Sequence, residues 1–576
     1  MGSCSSKNEE VSSLPANAAA TPKEVDHNTV APAVPSDGHG HGAHAAAPAA
    51  KPLQQQVSMT KSGFHSDIQP HKDTMAAHLA HNNKRALKDV YETNEGAVLG
   101  RGACGTVAVV KRKDTGELYA MKTVSLDGMA GGTLAELRKE IDIQRQLTHP
   151  NICRLFESFE EDGVLFIIME ICTGGALVSR MKNHRHGYGE RAAATLVEKM
   201  LSAVLYCHHN GVVHRDIKLD NFIYENEAED AELKLIDFGF AAEVMPGKES
   251  MFDQLGTPSY MAPELWSDSA KEYDSSVDMW ALGVVAFMLL SGKRPFHHQD
   301  RKEKARMIKH DPLQFKGGEW DRVSEESKDF CRKLMQKNPR DRMPASEAIH
   351  HPWIQHESNL HTGIDAAHEL ARHNEVIDSL EAFCQADDLK KLALESIAFS
   401  TPPAKLEELR NLFVKMDTDD SGTITYKEFK DAMLMHPEIP PEKVEQMFDS
   451  MDVNHSGDVD YLEFLSATIS TQKAGSDGRT SAMAAFSILD RDGDGFVGKD
   501  DIMQAVEGTY SEAEVDDMLL QHGKKGLINY QGFKVLMFSE KGTKLYKAAS
   551  SLSNASSSQK VGGGSLADQL LASTKN

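Results

Sequence analysis

The stretch His214-Arg215-Asp216-Ile217-Lys218-Leu219-Asp220-Asn221 is followed along the chain by Asp237-Phe238-Gly239 and then by Ala262-Pro263-Glu264. The first motif places an aspartate, a lysine and an asparagine close together, and the second motif adds another aspartate. Phosphoryl transfer needs a carboxylate that accepts the proton of a hydroxyl group and oxygen ligands that hold Mg²⁺. The three motifs in this order therefore indicate phosphoryl-transfer chemistry.

A glycine-rich stretch lies upstream of these motifs. It reads Gly100-Arg101-Gly102-Ala103-Cys104-Gly105-Thr106-Val107, a G-x-G-x-x-G-x-V pattern in which absent side chains let backbone N–H groups close on phosphates. Dinucleotide-binding folds use a similar pattern, so the glycines alone do not distinguish such a fold from an ATP site. Tyr119-Ala120-Met121-Lys122 then places a lysine on the next apolar strand, and Glu140 follows in a helical stretch from which it can pair with that lysine. Together these residues predict an ATP site.

These segments in this order resemble the protein kinase catalytic domain over Tyr91 to Ile354. The resemblance implies a bilobal α+β fold. It also implies that Asp216 accepts the substrate proton, that Lys218 contacts the γ-phosphate, and that Asn221 and Asp237 hold Mg²⁺. A pseudokinase would share the fold without the activity, but every group needed for metal, phosphate and base is present.

Some positions take a role only from the resemblance. Met169 is similar to the gatekeeper, and Glu170 and Cys172 are similar to the hinge that meets adenine. Thr257, in Gly-Thr-Pro, fits the serine/threonine class. Arg342 resembles the arginine that braces the lower lobe.

Two positions depart from the pattern of relatives. Asp253 stands where many kinases carry an activating phosphothreonine, and its carboxylate would pair with Arg215 as a phosphate does, although a solvated acidic residue is the alternative. Calcium-regulated relatives usually have Gly-Gly-Glu after the hinge, where the glutamate helps to select a basic residue in the substrate. This chain has Gly174-Gly175-Ala176, so the resemblance does not carry over a strong preference for basic substrates.

Three acidic loops of twelve residues begin at Asp417, Asp452 and Asp490. Each alternates oxygen-bearing residues with spacers around a glycine, which is the pattern of an EF-hand calcium loop. The expected calcium ligands are Asp417, Asp419, Ser421, Thr423 and Glu428 in the first loop, Asp452, Asn454, Ser456, Asp458 and Glu463 in the second, and Asp490, Asp492, Asp494, Phe496 and Asp501 in the third. Thr423 and Phe496 would contribute backbone carbonyls.

The third and fourth hands differ from the first two. The third loop ends in Asp501, and this shorter acid favours Mg²⁺ over Ca²⁺ compared with a glutamate. Because EF-hands fold in pairs, a fourth hand is expected, and residues 521–532 occupy its place. They keep Gly526 and Ile528 but have Gln521 and Gly532 where ligands should stand. We expect a structural partner that binds no ion.

An amphipathic, helical region links the kinase-like part to the hands. Its apolar residues recur near helical spacing: Ile377, Leu380, Phe383, Leu389, Leu392 and Ile397. A kinase, such a junction and four hands resemble the calcium-dependent protein kinases over residues 91–538. The resemblance implies an enzyme that phosphorylates serine or threonine of protein substrates, held inactive by the junction until calcium-filled hands grip it. A plain linker helix, a constitutive kinase whose hands buffer calcium, and a non-catalytic scaffold are the alternatives.

The predicted organisation is an extension at 1–90, a kinase domain at 91–354, an autoinhibitory junction at 355–400, an all-α EF-hand domain at 401–540 and a flexible tail at 541–576. A net charge of −23 argues against a nucleic-acid partner. The seven cysteines lack CxxC spacing, which is typical of reduced cytoplasmic thiols. The longest apolar run, Met279 to Leu290, is too short to span a bilayer and predicts a buried helix. We expect a monomer.

The first ninety residues have too little apolar periodicity to bury a core, so we predict disorder there. The start, Met-Gly-Ser-Cys-Ser-Ser, matches the N-myristoylation pattern with Gly2 as acceptor. One myristoyl chain holds a protein to a membrane only marginally, and palmitoylation of Cys4 would supply the second signal. This predicts a cytoplasmic protein bound peripherally to membranes, with a chance match of the short motif as the alternative.

Overall fold

A computed structural model of the chain describes residues 79–102, 105–129, 131–243, 251, 256–266, 273–357, 367, 370, 374–469, 478–506, 510–523 and 526–538, all within one compact unit. Gly2, Cys4, Ala103, Cys104 and Asp253 lie outside the described residues, so the predictions for them stay predictions.

The amino-terminal lobe is built on a six-stranded sheet with the order β1-β5-β6-β4-β3-β2. Its strands are β1 (His81–Asn82), β2 (Tyr91–Gly102), β3 (Gly105–Arg112), β4 (Leu118–Ser125), β5 (Leu155–Glu161) and β6 (Val164–Met169). Helix α1 (Leu87–Val90) precedes β2, and helix α2 (Gly131–Gln146) packs against β5. The strands pair antiparallel except β1, which runs parallel to β5.

The prediction of disorder up to residue 90 is wrong for residues 79–90. His81 pairs with Glu157 across the β1–β5 ladder, and Leu79 and Leu87 are buried. The amide of Asn83 donates to Glu157 Oε2 at 2.6 Å, and the hydroxyl of Tyr91 donates to Glu157 Oε1 at 2.6 Å. A two-residue strand is too short to show a periodicity in the sequence. It forms because β5 supplies its hydrogen-bond partners.

The carboxyl-terminal lobe is mostly helical. Its helices are α3 (Leu177–Met181), α4 (Glu190–His209), α5 (Ser276–Ser291), α6 (Arg301–His310), α7 (Glu325–Leu334), α8 (Ala345–Ala348) and α9 (Pro352–Glu357), and its short strands are β7 (Val212–Val213), β8 (Phe222–Tyr224), β9 (Leu233–Leu235) and β10 (Ala242–Glu243). Helix α5 is buried along almost its whole length, which confirms the buried helix predicted from its apolar run. Among the described helices, none is long and apolar enough to cross a membrane.

The junction forms two helices, α10 (Asn374–Cys384) and α11 (Asp388–Ser400). The break between them lies at Asp387, whose carboxylate accepts a hydrogen bond from the Lys390 backbone N–H at 3.0 Å and so caps α11. The apolar residues Leu380, Phe383 and Ile397 are buried, as their helical spacing predicts.

The hand region contains eight helices within its described residues. They are α12 (Glu407–Met416), α13 (Tyr426–Ala432), α14 (Pro441–Met451), α15 (Tyr461–Thr468), α16 (Gly478–Leu489), α17 (Lys499–Ala505), α18 (Glu512–His522) and α19 (Tyr530–Phe538). Two-residue strands join the hands in pairs: β11 (Thr423–Ile424) with β12 (Val459–Asp460), and β13 (Phe496–Val497) with β14 (Ile528–Asn529). Junction helix α10 packs against α14 and α15, whereas α11 contacts helices of both pairs.

Candidate functional site

Asp216 lies in a loop after β7 and is buried, with 3% of its surface exposed. Its Oδ1 accepts hydrogen bonds from the hydroxyl and the backbone N–H of Thr257, at 2.8 and 3.1 Å. Its Oδ2 accepts from Lys218 Nζ and, at 3.3 Å, from the Asn221 amide. The predicted phosphate-contacting lysine and the predicted metal-binding asparagine therefore both contact the carboxylate of the predicted base.

A buried carboxylate, Asp278, holds this loop in place. It lies on α5 and accepts hydrogen bonds from the backbone N–H groups of His214 and Arg215 at 2.9 and 2.8 Å, and it contacts His208 Nε2 at 3.0 Å. Burial would raise the pKa of Asp278, but the hydrogen bond and charge of His208 outweigh it and hold that pKa below its usual value. Arg215 has φ +65°, a conformation that these contacts support. The sequence analysis did not identify Asp278, because it stands far from the motifs along the chain.

Lys122 joins the two lobes at the site. Its ammonium lies 3.3 Å from Glu140 Oε1, on α2, and 3.9 Å from Asp237 Oδ1. Burial raises the pKa of Glu140, and the charge of Lys122 opposes that shift. The predicted lysine–glutamate pair is therefore formed, and the second predicted metal ligand, Asp237, stands beside it.

The described part of the glycine-rich stretch forms the facing ends of β2 and β3, where Gly100 pairs with Val107 and Arg101 with Thr106. Gly105 has φ +138°, and a Cβ there would lie 2.0 Å from the Thr123 carbonyl oxygen. Only glycine allows the chain to pass so close to β4.

The hinge follows β6, in which Met169 pairs with Ala120 of β4. The Glu170 side chain forms a buried ion pair with Lys234 Nζ at 2.8 Å. A hydrogen bond to Cys153, together with burial, raises the pKa of Cys172 well above its usual range. The side chains of Glu170 and Cys172 are therefore both buried within the protein.

The first two calcium loops share one arrangement. The two oxygens of Asp417 accept from the backbone N–H groups of Ser421 and Gly422 at 2.9 and 2.8 Å, and Asp452 does the same in the second loop. Glu428 and Glu463 are buried and point back into their loops, where each accepts backbone N–H groups from both ends.

The carboxylates of these loops are crowded. Burial and then the charges of Asp420, Asp419 and Glu428 raise the pKa of Asp417 well above its usual value. Asp417, Asp419 and Glu428 each offer an oxygen within 4.8 Å of the others, and so do Asp490, Asp492 and Asp494 in the third loop. Carboxylate oxygens grouped in this way are the ligands that Ca²⁺ prefers.

The remaining predicted ligands occupy their expected loop positions. Ser421 Oγ lies 3.1 Å from the Thr423 carbonyl oxygen, Ser456 Oγ lies 2.7 Å from that of Asp458, and the Asn454 side chain accepts from the Ser456 N–H at 2.9 Å. In the third loop Asp501 accepts from the Arg491 and Gly498 N–H groups at 3.1 and 2.9 Å, and Phe496 is 40% exposed.

The fourth hand keeps its pairing but not its ligands. Ile528 pairs with Val497 of the third hand, and Gly526 has φ +75°, as the sequence predicts. Helix α18 runs through Gln521, whose amide donates to Asp517 at 2.7 Å.

The first hand and the junction also contact the back of the kinase-like part. Arg410 of α12 forms an ion pair with Glu225 at 2.8 Å. Arg154 donates to the Phe399 carbonyl oxygen at 3.1 Å, and the Phe399 ring lies 5.6 Å from that of Phe156 on β5. These side chains carry no motif, so sequence reasoning missed them.

Known proteins match this arrangement. Residues 93–354 match the protein kinase domain family, residues 406–469 the EF-hand domain pair, and residues 483–506 a further EF hand. Calcium-dependent protein kinase 28 of Oryza sativa subsp. japonica is 34% identical over 510 residues, which cover 87% of this chain and 91% of the relative. Calcium-dependent protein kinase SK5 of Glycine max is 36% identical over 457 residues, covering 78% of this chain and 87% of the relative.

Proposed function

The chain belongs to the calcium-dependent protein kinase family, and on that premise we propose how its residues divide the work of catalysis and calcium control. The enzyme is a calcium-activated serine/threonine kinase that transfers the γ-phosphate of ATP to protein substrates. Mg²⁺ accompanies ATP, and Ca²⁺ binds the EF-hands.

In this proposal Asp216 orients the substrate hydroxyl and accepts its proton, while Lys218 neutralises charge on the phosphate. The hydrogen bonds from Thr257 and Asn221 to Asp216 support that role, because they fix the carboxylate before substrate arrives. Asn221 and Asp237 would hold Mg²⁺, whose charge stabilises the phosphate oxygens during transfer. Asp216→Asn should then lower the turnover rate by at least about a hundredfold while ATP and calcium binding persist.

Calcium control is proposed to pass through the junction. At rest the junction would leave the hands and hold the kinase inactive; filled hands would grip it and shift the population to the active state. One observation carries this: α10 and α11 are buried among the hands while the Lys122–Glu140 pair is formed. The junction is therefore bound by the EF-hands in the same conformation in which the lysine–glutamate pair of the ATP site is formed.

Truncation after Ile354 tests this scheme. If the junction only inhibits, the isolated kinase domain should phosphorylate a peptide equally with and without a calcium chelator, whereas the full chain should need calcium. A truncated protein that is folded by circular dichroism but inactive would show that the junction and hands activate directly. Activity of the full chain that chelator does not change would instead favour hands that only buffer calcium.

Membrane association is proposed through myristoylation of Gly2 and palmitoylation of Cys4, with a cytoplasmic location and a monomeric state. Its support is the acylation pattern at the start of the sequence. Protein co-expressed with an N-myristoyltransferase should co-sediment with vesicles, and Gly2→Ala should abolish that. Equal sedimentation of both proteins would refute the acylation route.

A further inference from the structure

The carboxylate of Glu395 is buried in the junction without a partner. Glu395 lies in the carboxyl-terminal half of α11, and 1% of its surface is exposed. Within the described part of the chain, neither of its oxygens has a hydrogen-bond partner. No other described carboxylate has both oxygens buried and unpartnered.

An acid buried to the same extent shows the usual arrangement. Asp278 is also 1% exposed, but it accepts hydrogen bonds from two backbone N–H groups and contacts His208 Nε2 at 3.0 Å. These partners hold the pKa of Asp278 below its usual value. Burial, and then the charge of Asp460, instead raises the pKa of Glu395 to about 8.

The helical neighbour that would neutralise Glu395 is engaged elsewhere. Lys391 precedes Glu395 by four residues on α11, a spacing that brings opposite charges together on a helix. Its ammonium instead donates to the Ser450 carbonyl oxygen at 3.3 Å and lies 5.3 Å from the centre of the Phe383 ring. The burial of Glu395 is therefore not offset by an ion pair with Lys391.

The EF-hands supply much of this burial. Helix α11 packs against α15 of the first hand pair and against α16 of the second, and its residues 392–400 are all buried. An acid that is buried without a partner destabilises the conformation that buries it. Binding of the junction by the hands thus carries a cost that no contact of Glu395 repays.

We propose that Glu395 sets the calcium threshold of the kinase by opposing the binding of the junction to the EF-hands. The proposal rests on the proposed function, in which the junction leaves the hands at rest, so that water would then solvate Glu395. Calcium binding must supply the free energy that buries this acid again. A residue without the charge would let the hands bind the junction at a lower calcium concentration.

The size of the effect follows from the proton that Glu395 takes up on burial. A pKa that rises from 4.5 to about 8 lowers the equilibrium constant for junction binding at pH 7 by a factor of about 300. Divided among at most three calcium ions, this is a change of about sevenfold or more in the calcium concentration at half-saturation.

The test follows calcium binding by calorimetry and phosphotransfer by a peptide assay, both on the full chain at pH 7. Glu395→Gln keeps the shape of the side chain and removes its charge, so it should lower both calcium midpoints by about sevenfold. Asp378→Asn removes the same charge from an exposed residue of α10. It is the matched control and should leave both midpoints unchanged.

A second variant, Glu395→Met, removes the polar atoms altogether and should lower the midpoints at least as far. Tighter calcium binding is an outcome that misfolding cannot produce. Calcium-binding midpoints that stay at the wild-type value or rise in both variants would overturn the proposal. If the phosphotransfer of the wild type ignored calcium while calcium binding still tightened in the variants, the calcium control of the proposed function would fail and the effect of Glu395 on junction binding would stand.

Discussion

Replacing Gly422 by alanine should uncouple the first hand from the kinase domain without removing a calcium ligand. Gly422 stands at the sharp turn of the first loop with φ +81°. A Cβ there would lie 2.6 Å from Tyr206 Cδ2 and 2.8 Å from His149 Cδ2, both on the kinase side. Gly457 is the matching residue of the second loop, with φ +94°, and a Cβ added there would meet no atom within 4 Å.

The two rings have little freedom to move away. Tyr206 is 1% exposed, and its hydroxyl accepts from the Thr148 N–H at 3.2 Å. His149 Nε2 lies 3.1 Å from Ser202 Oγ, and its Nδ1 accepts from the Asn151 N–H at 3.0 Å. The steric overlap must therefore be relieved by separating the hand from the kinase domain.

The magnitude follows from comparing the two glycines. Both alanine variants carry the cost of a positive φ, about 1–2 kcal/mol. Gly422→Ala adds an overpacking cost of about 2 kcal/mol, within the range for extra methyl groups in packed sites. That difference lowers the equilibrium constant for docking of the first hand on the kinase domain about thirtyfold relative to Gly457→Ala.

Calcium titrations of phosphotransfer would give the calcium requirement and the maximal rate of each variant. Small-angle scattering would give its radius of gyration. Both variants should need more calcium, because both strain a loop. At saturating calcium, Gly457→Ala should recover the wild-type rate and radius of gyration. Gly422→Ala should remain more expanded, with a maximal rate lower by up to about thirtyfold. If the two variants match in both measurements at saturating calcium, Gly422 does not transmit docking and the reasoning is wrong.

Further predictions concern the buried acids and the ion count. Burial raises the pKa of Glu395 on α11 to about 8, and within the described part of the chain neither of its oxygens has a hydrogen-bond partner. The pKa of Glu395 is higher in the folded protein than in the unfolded chain, so its contribution to stability is complete below about pH 4.5 and is lost as the pH rises toward 8. Glu395→Gln should therefore raise the free energy of unfolding at pH 7 by roughly 3 kcal/mol. Denaturation curves that show no gain over the wild type would contradict this prediction. Glu428→Gln or Glu463→Gln should raise the calcium needed for activation by about tenfold or more, and an unmoved activation curve for either variant would exclude its loop from sensing. Calorimetry should find at most three calcium ions and none at residues 521–532, and Asp490→Ala should loosen the second hand pair more than it shifts the activation midpoint; four bound ions would refute this division. Calcium affinity should fall as the pH is lowered, because burial and neighbouring charge raise the pKa of Asp417 and binding must displace its proton; an affinity independent of pH would contradict the raised pKa.

Much of the fold and site could be predicted from the sequence because their signals are local. The catalytic loop, the glycine turn and the EF-hand loops each place chemistry at fixed spacing, and backbone geometry converts that spacing into position. Asp216, Lys218 and Asn221 meet because they share one loop, and Asp417 and Glu428 meet because they share another. The apolar period of the junction likewise predicted the burial of Leu380, Phe383, Leu389, Leu392 and Ile397, whereas Ile377 is only partly buried.

Tertiary structure decided what depends on segments far apart along the chain. Residues 79–90 fold because β5 supplies the partners of β1, and no local pattern announces such a pairing. Asp278 orients the catalytic loop from α5, and Tyr206 and His149 meet Gly422 across the kinase–hand contact. A single glycine or aspartate forms no pattern in the sequence that identifies its distant contact. That contact is known only from the packing of the folded chain. The sequence by itself therefore determined the chemistry of each site, and the tertiary structure decided how the sites are held and joined.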